Sequence, residues 1–379
     1  MKKIICLLLV VVFAMGCLVA CGEAPSTEPS TSDSQGQTTQ ESQGQTDSGE
    51  KKLVGLVMLT QSNPYFVALA QTVEAKAAEY GWDYKLYDSQ YDSATELQAM
   101  EDLISQQADV ILIDNVDPEA CVAGIQAADA AGIPVIAVDS MLDTSVAPVV
   151  TAVLSASTEN GMAVGRWLVE EVIKDGEIKA AMMSGVKGNP VGQLRRDGMF
   201  AGIIQAKAAL AGKEMTDEEA LAEADKVEEQ LTATGTASYP DAKFEIVGQA
   251  WGDWNAEGGM NGVEDMITAH PDVNVLLSEN DDMAMGGMNA IENAGLTDQI
   301  TIAAAADGSK EAYALIKEGK YGATGENNPV KIATTAMEIA YEILVEGADP
   351  DSYEKETYTP AACINASNVD EFYDPDSIF

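Results

Sequence analysis

The amino-acid sequence predicts an α/β protein made of two doubly wound parallel-sheet lobes. Short apolar runs bounded by turn residues alternate with segments of helical spacing, which is typical of parallel strands covered by helices. The alternation occurs twice along the chain. Residues 51–379 also exceed the size of one ordinary hydrophobic core, so two lobes are expected.

The first lobe begins with four predicted strands separated by amphipathic helices. The strands are predicted over Leu53–Leu59, Tyr84–Tyr87, Val110–Ile113 and Val135–Val138. Helical spacing of apolar residues predicts helices over 64–80, 94–107 and 119–131. Because a helix follows each strand and crosses back over the sheet, the strands are expected to be parallel.

The second half repeats the pattern. Strands are predicted near 149–155, 178–184, 244–250, 273–278, 301–305 and 321–325. Helices are predicted near 160–173, 191–210, 256–269, 283–294, 309–318 and 330–346. The segment 211–242 interrupts the rhythm with acidic residues at helical spacing followed by small polar residues. We expect a solvated extra helix on the second lobe there, with a docking surface for a partner as the alternative.

The N-terminus has the features of an exported protein. Residues 1–20 are predicted to be a signal peptide, since two lysines precede an apolar run, Ile4–Met15, that is too short to span a bilayer. The small residues before Cys21 resemble the lipobox of bacterial lipoproteins, and this resemblance implies lipidation of Cys21; the alternative is an ordinary cleavage site. The composition of residues 21–50 predicts a disordered tether.

The charge balance argues against nucleic-acid binding, and the cysteine usage argues against a disulfide framework. With 62 acidic residues against 21 basic ones and a net charge of -41, nucleic acid is not expected as a partner. Cys121 and Cys363 are the cysteines of the folded region, and we expect two buried thiols, with a disulfide between them as the alternative.

The inventory of reactive residues argues against an enzyme. His270 is the single histidine and lies in a predicted surface turn, so a Ser-His-Asp or Cys-His device is not expected. No glycine-rich phosphate loop follows the first strand, and no spacing of acids singles out a catalytic pair or a calcium loop. We therefore predict a binding protein without a cofactor or a metal.

The residues that directly follow the predicted strands are the candidate ligand contacts, because open parallel sheets bind ligands beyond the carboxyl ends of their strands. These residues are Thr60 through Phe66, Asp139 and Ser140, Trp251 through Asn255, Asn280 through Asp282, Asp307 with Gly308, and Glu326 through Asn328. Carboxylates and amides hydrogen-bond to hydroxyl groups, and aromatic rings pack on the apolar face of a sugar. The set therefore predicts a polyhydroxyl ligand.

Three of these candidates also have a purely structural interpretation. Asn63 precedes Pro64, an arrangement that is equally expected of a helix N-cap. Asn280 can likewise be only the start of a helix, and a tryptophan such as Trp254 is usually a core residue.

At these same residues the chain resembles the periplasmic sugar-binding proteins of the ribose and glucose/galactose type, over about Lys52 to Cys363. Asn63-Pro64-Tyr65-Phe66 is similar to the Asn-Pro-Phe-Phe of ribose binders, and the stretch that begins at Asn280 matches their Asn-Asp-x-Met-Ala motif. The resemblance implies these ligand contacts: Asn63, Tyr65, Phe66, Asp139, Arg195, Trp254, Asn280, Asp307 and Asn327. It also implies that Arg196 is a surface neighbour of the binding arginine, with the reverse assignment left open.

Departures from the family pattern bear on the ligand. Ser140 stands where ribose binders have a second arginine, whereas Trp254 and Asn327 resemble the glucose/galactose binder. Asn189 stands where that binder has a histidine, and Val191 replaces one of its carboxylates. We expect a hexose or related monosaccharide rather than ribose, with a nucleoside or another small polar ligand as the less favoured alternative.

The resemblance also implies an organisation and a role. The first lobe would comprise 51–157 plus 328–359, and the second 158–327 plus 360–379. The chain would then cross between the lobes three times, so that a three-segment hinge joins them with the ligand cleft between. A monomer of this type, held outside the membrane by its lipid, would deliver the sugar to the permease and ATPase of an ABC importer. The alternative is a sensor that presents its closed form to a receptor.

Overall fold

A computed structural model describes residues 51–379 of the chain. The predicted signal peptide, Cys21 and the predicted tether lie outside the described residues. The described part holds no helix that is both long enough and apolar enough to cross a membrane.

The described residues form two sheets covered by helices. The strands are β1 (Leu53–Met58), β2 (Asp83–Asp88), β3 (Val110–Ile113), β4 (Val135–Val138), β5 (Ala152–Ser155), β6 (Ile178–Ser184), β7 (Ala237–Tyr239), β8 (Phe244–Trp251), β9 (Val275–Ser278), β10 (Thr301–Ala304), β11 (Ala323–Gly325), β12 (Glu356–Thr359) and β13 (Cys363–Asn365). The helices are α1 (Pro64–Tyr80), α2 (Ser93–Ser105), α3 (Val122–Ala130), α4 (Ser157–Trp167), α5 (Pro190–Leu210), α6 (Asp217–Thr234), α7 (Ala256–Ala269), α8 (Asp281–Ala294), α9 (Lys310–Lys317) and α10 (Pro329–Tyr341). One π-helical turn continues α4 over 168–173 and another continues α10 over 342–346.

The sheets define two lobes. The first lobe has six strands in the order β12-β5-β4-β3-β1-β2, all of them parallel. The second has seven in the order β13-β11-β10-β9-β6-β8-β7, in which the edge strands β13 and β7 are antiparallel to their neighbours. The predicted fold class is therefore confirmed. The central strands are buried at every position, as expected of a sheet covered on both faces.

The chain passes between the lobes three times, after β5, after β11 and after β12. Helix α10 packs into the core of the first lobe, where Ile332 and Met337 lie with Val54 and Leu56. The last residue, Phe379, also packs in this core, although its segment follows β13 of the second lobe. Both lobes are thus discontinuous in sequence.

Glycines bring helices α4 and α5 of the second lobe into backbone contact. A Cβ atom at Gly161 would lie 2.5 Å from the carbonyl oxygen of Arg195, and one at Gly198 would lie 2.3 Å from that of Thr158. A side chain at either position would force the helices apart. This close contact determines where the N-terminal half of α5 lies, and with it the position of Arg195.

The inserted segment is more deeply integrated than its sequence predicts. Helix α6 buries Ala224, Val227 and Leu231 in the core of the second lobe, and β7 extends the sheet. The prediction of a solvated extra helix is correct for the outer face and wrong for this inner one. The apolar residues repeat every three to four positions, a pattern that the abundant acids hide in the sequence.

Candidate functional site

Asparagine caps begin five of the helices that start beyond the carboxyl ends of the strands. The capping residues are Asn63 of α1, Asn189 of α5, Asn255 of α7, Asn280 of α8 and Asn328 of α10. In each, the side-chain oxygen accepts a hydrogen bond from a backbone N–H of the first turn. The structural interpretation of Asn63 and Asn280 as caps is thus confirmed, and their contact with a ligand stays a prediction.

The first lobe contributes Tyr65 and Asp139 to the cleft. The Tyr65 hydroxyl lies 2.5 Å from Oδ1 of Asp139 and 3.1 Å from Oδ1 of Asn327. Its single proton serves one of these acceptors at a time. The Tyr65 ring meets those of Phe66 and Phe379 edge to face, with centroids 5.5 Å apart in both pairs. Aromatic packing therefore holds the ring while its hydroxyl points to the polar cluster.

The second lobe contributes Arg195 and Asp307. Arg195 Nη1 lies 3.5 Å from Oδ1 of Asp307 and donates to the carbonyl oxygen of Glu279 at 3.2 Å. The Asn327 amide bridges the two lobes, because its Nδ2 lies 3.5 Å from Asp307 while its Oδ1 faces Tyr65. Five of the predicted contacts thus form one continuous polar cluster between the lobes.

Trp254 lies beside this cluster and supports it. The Arg195 guanidinium carbon lies 5.5 Å from the centroid of the indole ring, and Asn280 Nδ2 contacts the Trp254 carbonyl oxygen at 3.4 Å. Only glycine fits at position 185, where a Cβ atom would lie 2.2 Å from the indole. Stacking of Trp254 on a sugar stays a prediction, whereas its packing beneath Arg195 is seen directly.

Two of the predicted contacts have a strained backbone. Asp139 has a φ of 61° and Trp254 a φ of 59°, both in the left-handed region that side chains other than glycine rarely adopt. Such strain is concentrated at functional sites because the surrounding structure must compensate for it. The strain is consistent with a functional role, and the ligand contact of both residues stays a prediction.

The electrostatics of the cluster are dominated by carboxyl groups in excess over cations. Burial raises the pKa of Asp307 to about 8, an effect that Arg195 reduces and Asp281 increases. Burial also raises the pKa of Asp139, against the hydrogen bond from Tyr65 and the charge of Arg195. The pKa of the Tyr65 phenol is raised well above its usual value by burial and by Asp139. Burial therefore disfavours the charged form of both carboxyl groups of the cluster.

Asp114 is a candidate residue that the sequence analysis did not name. It follows β3, is 1% exposed, and neither of its carboxyl oxygens has a hydrogen-bond partner among the described residues. Burial and the charge of Asp139 raise its pKa well above the usual range, and the nearby Ser140 hydroxyl opposes this rise. Nearby, the Ser140 hydroxyl donates to Asn115 Oδ1 at 2.6 Å and accepts from the Asn115 backbone N–H at 2.8 Å. The rule that selected Asp139 also selects Asp114, because both residues follow a buried strand.

The expected surface position of Arg196 is wrong. Its side chain is 7% exposed and contacts the carboxylates of Glu228 and Glu279. The acidic partners of Arg196 are distant in sequence, and one of them lies on α6. No local sequence pattern therefore predicts the pairing.

The remaining chemistry-bearing residues lie apart from the cluster. Cys121 is buried and Cys363 half-buried, and both are free, so the alternative of a disulfide between them is excluded. His270 is half-buried at the end of α7. Across residues 51–379, no group of three or more histidine, cysteine, aspartate or glutamate side chains could hold a metal ion.

Comparison with known proteins identifies the family. Residues 54–348 match the periplasmic binding protein domain, and the chain belongs to this family. It is 29% identical over 299 residues to the ribose import binding protein of Bacillus subtilis, covering 78% of this chain and 84% of that protein. It is 25% identical over 297 residues to the D-apiose import binding protein of Paraburkholderia graminis, covering 78% of this chain and 82% of the relative.

Solved structures show the same fold. A periplasmic solute-binding protein of Actinobacillus succinogenes with bound D-allose superposes with a TM-score of 0.68 at 24% identity, covering 85% of this chain and all of that one (100%). A solute-binding protein of Bacillus halodurans with bound myo-inositol gives 0.65 at 21% identity, covering 86% of this chain and 99% of the other. The type I periplasmic-binding-protein fold is thereby confirmed. The family match identifies the chain as a binding protein rather than an enzyme.

Proposed function

We propose that this protein captures a monosaccharide between its lobes and delivers it to the permease of an ATP-driven importer. The observation that carries the proposal is the polar cluster from Asp139 and Tyr65 on the first lobe, through Asn327, to Asp307 and Arg195 on the second. A ligand held by both walls binds the closed state better than the open one, and this difference in affinity drives closure.

The relatives support the same assignment. The curated relatives are named for import of ribose and D-apiose, and the solved neighbours contain D-allose and myo-inositol. These molecules are compact and rich in hydroxyl groups. A cleft with several carboxyl groups and amides suits such ligands, since each carboxylate accepts hydrogen bonds from hydroxyls.

The proposed ligand contacts are those predicted from the sequence. They are Asn63, Tyr65, Phe66, Asp139, Arg195, Trp254, Asn280, Asp307 and Asn327. A saturating ligand at about 100 times its dissociation constant raises the free energy of unfolding by about 2.7 kcal/mol. A thermal-shift screen of monosaccharides, cyclitols, nucleosides and amino acids tests the proposal, and stabilisation by an amino acid or a nucleoside alone would contradict it.

Within the monosaccharides we propose that a hexose binds better than ribose. Ser140 replaces the second arginine of ribose binders, and here its hydroxyl is engaged with Asn115. A serine leaves more room and less charge than an arginine at that position. Titration calorimetry with glucose, galactose, allose and ribose decides the matter, and tighter binding of ribose than of every hexose would overturn this preference.

We further propose that Cys21 carries the lipid that tethers the mature monomer to the outer face of the membrane. The support is the apolar run and the small residues before Cys21. Mass spectrometry of the native protein should find an acylated N-terminal cysteine, and Cys21→Ala should release the protein from the membrane fraction. An unmodified N-terminus at another residue would exclude this anchor.

A further inference from the structure

A buried charge network connects the inserted helix α6 to the wall of the cleft. Arg196 is its centre: Nε donates to Glu228 Oε2 at 2.9 Å, Nη2 contacts the other oxygen of the same carboxylate, and Nη1 contacts Glu279 Oε1. The second oxygen of Glu279 accepts a hydrogen bond from the Gly185 backbone N–H at 2.8 Å. The guanidinium thus holds two carboxylates, one from α6 and one from the end of β9.

The network touches the binding cluster at Glu279. The carbonyl oxygen of this residue accepts from Arg195 Nη1 at 3.2 Å, and the next residue is Asn280. The site is built for close contact, since a Cβ atom at Gly192 would lie 2.5 Å from Glu279 Oε2. The Glu279 side chain is therefore closely held, and it belongs to the residue whose carbonyl oxygen accepts from Arg195.

Glu228 is the carboxylate that the inserted segment supplies to this network. It is 7% exposed, and it lies on the inner face of α6 between Val227 and Leu231, which anchor the helix in the core. Removing such charges from water is costly, so a buried pair of this kind is weak evidence for a role in stability. The residue that Arg196 contacts here is Glu279, whose carbonyl oxygen accepts from Arg195.

We propose that Glu228 and Arg196 are positioning residues of the ligand site, so that the inserted helix α6 contributes to ligand binding. Glu228 orients the Arg196 guanidinium, Arg196 holds the Glu279 carboxylate, and Glu279 places its carbonyl oxygen for Arg195. This inference rests on the proposed function, because it requires that Arg195 binds the ligand.

The test compares Glu228→Gln with Glu229→Gln, an exposed neighbour on the same helix, by titration calorimetry with the monosaccharide that binds the wild type best. Glu228→Gln should weaken binding at least tenfold in a protein that circular dichroism shows to be folded, and Glu229→Gln should bind as the wild type does. Wild-type affinity in Glu228→Gln would overturn the proposal. If Glu228→Gln does not fold, Arg196→Lys replaces it, with the same loss expected and the same contrary result.

A double-mutant cycle separates positioning from a general loss of stability. In an Arg195→Met background, Glu228→Gln should change the affinity less than twofold, because its effect is transmitted through Arg195. Losses that multiply in the double variant would show that Glu228 acts elsewhere and would overturn the proposal. If the wild-type protein binds no monosaccharide at all, the proposed function fails, and that outcome is distinct from wild-type affinity in Glu228→Gln.

Discussion

The two walls of the cleft differ in how their charged side chains are partnered. On the second lobe, Arg195 and Arg196 lie against Asp307, Glu279 and Glu228, so each cation has a partner before a ligand arrives. The charged side chains of that wall are therefore paired within the second lobe itself.

The first lobe lacks such a network at its wall. Asp139 meets only the neutral Tyr65 and Asn327 at short range, and Asp114 has no hydrogen-bond partner among the described residues. The charge of Arg195 on the opposite wall acts on Asp139, where it opposes the rise in pKa. The comparison teaches that acids of the second wall are paired with arginines of the same lobe, whereas Asp139 and Asp114 have no such partner among the described residues of theirs.

The largest effect is expected from Arg195→Met, which removes the cation that both walls share. A hydrogen bond to a charged group in a closed cleft contributes about 3 kcal/mol at most, so the affinity should fall about a hundredfold. The control is Arg166→Met. Arg166 lies outside the cleft and pairs with the exposed Asp217, with 2.7 Å between Nη2 and Oδ1. Titration calorimetry measures both, and equal losses in the two variants would contradict the shared role of Arg195.

A somewhat smaller loss is expected from Asp307→Ala, which removes an acceptor of the second wall. Binding should weaken at least tenfold while the ligand-free protein stays folded, since no apolar core is lost. His270→Ala and Glu219→Ala should bind as the wild type does, because both residues lie outside the cluster. Abolished binding in His270→Ala would place the site elsewhere.

The pH dependence of unfolding in Asp114→Asn tests whether the acids of the first wall lack partners. The folded-state pKa of Asp114 is raised above its unfolded value of about 3.9, so the stability linked to its proton is fully present below pH 4 and is lost as the pH rises toward the folded pKa. The loss reaches at most about 1.4 kcal/mol per pH unit. Asn keeps the shape without the charge, so the wild type should lose more stability than the variant between pH 5 and pH 8 in denaturant titrations.

The exposed Asp129 on α3 provides the control for that experiment. Asp129→Asn should leave the pH dependence of unfolding as it is in the wild type. Parallel pH profiles for Asp114→Asn and the wild type would show that Asp114 finds a partner in solution.

The smallest effect on binding is expected from Phe379→Ala. The ring of Phe379 packs edge to face on Tyr65, and such a pair contributes about 0.5–1.5 kcal/mol beyond the burial of the ring. Truncation of a core phenylalanine to alanine costs about 3–5 kcal/mol in stability, most of it unrelated to the ligand. Loss of this support should therefore lower the melting temperature but weaken binding severalfold at most. A loss of affinity as large as that of Arg195→Met would make the C-terminal residue a part of the site itself.

The fold was largely predictable because burial and periodicity are local signals. The strands at 110–113, 135–138 and 178–184 and the helices at 64–80 and 256–269 have the predicted bounds. The short edge strand β7 was not predicted, since three residues at a sheet edge bury too little to leave a pattern. The same limit applies to β12, which joins the first lobe only through β5.

The sequence predicts that the candidate residues lie together, and five of them do, but it does not predict their individual partners. Their contact with a ligand stays a prediction. Asp139 and Asp307 were identified because both follow buried strands, but the contact of Tyr65 with Asn327 joins residues 262 positions apart. Burial of Arg196 depends on Glu228, whose helix has no counterpart in the repeating strand and helix pattern. Such long-range pairs arise from tertiary packing, which a single sequence does not reveal.

The most direct test of the two-wall account is a crystal structure of the protein grown with the monosaccharide that stabilises it most. The account predicts one sugar between the lobes, hydrogen-bonded to Asp139 on the first wall and to Arg195 and Asp307 on the second. A sugar bound to one lobe alone, or at a surface away from these side chains, would contradict it.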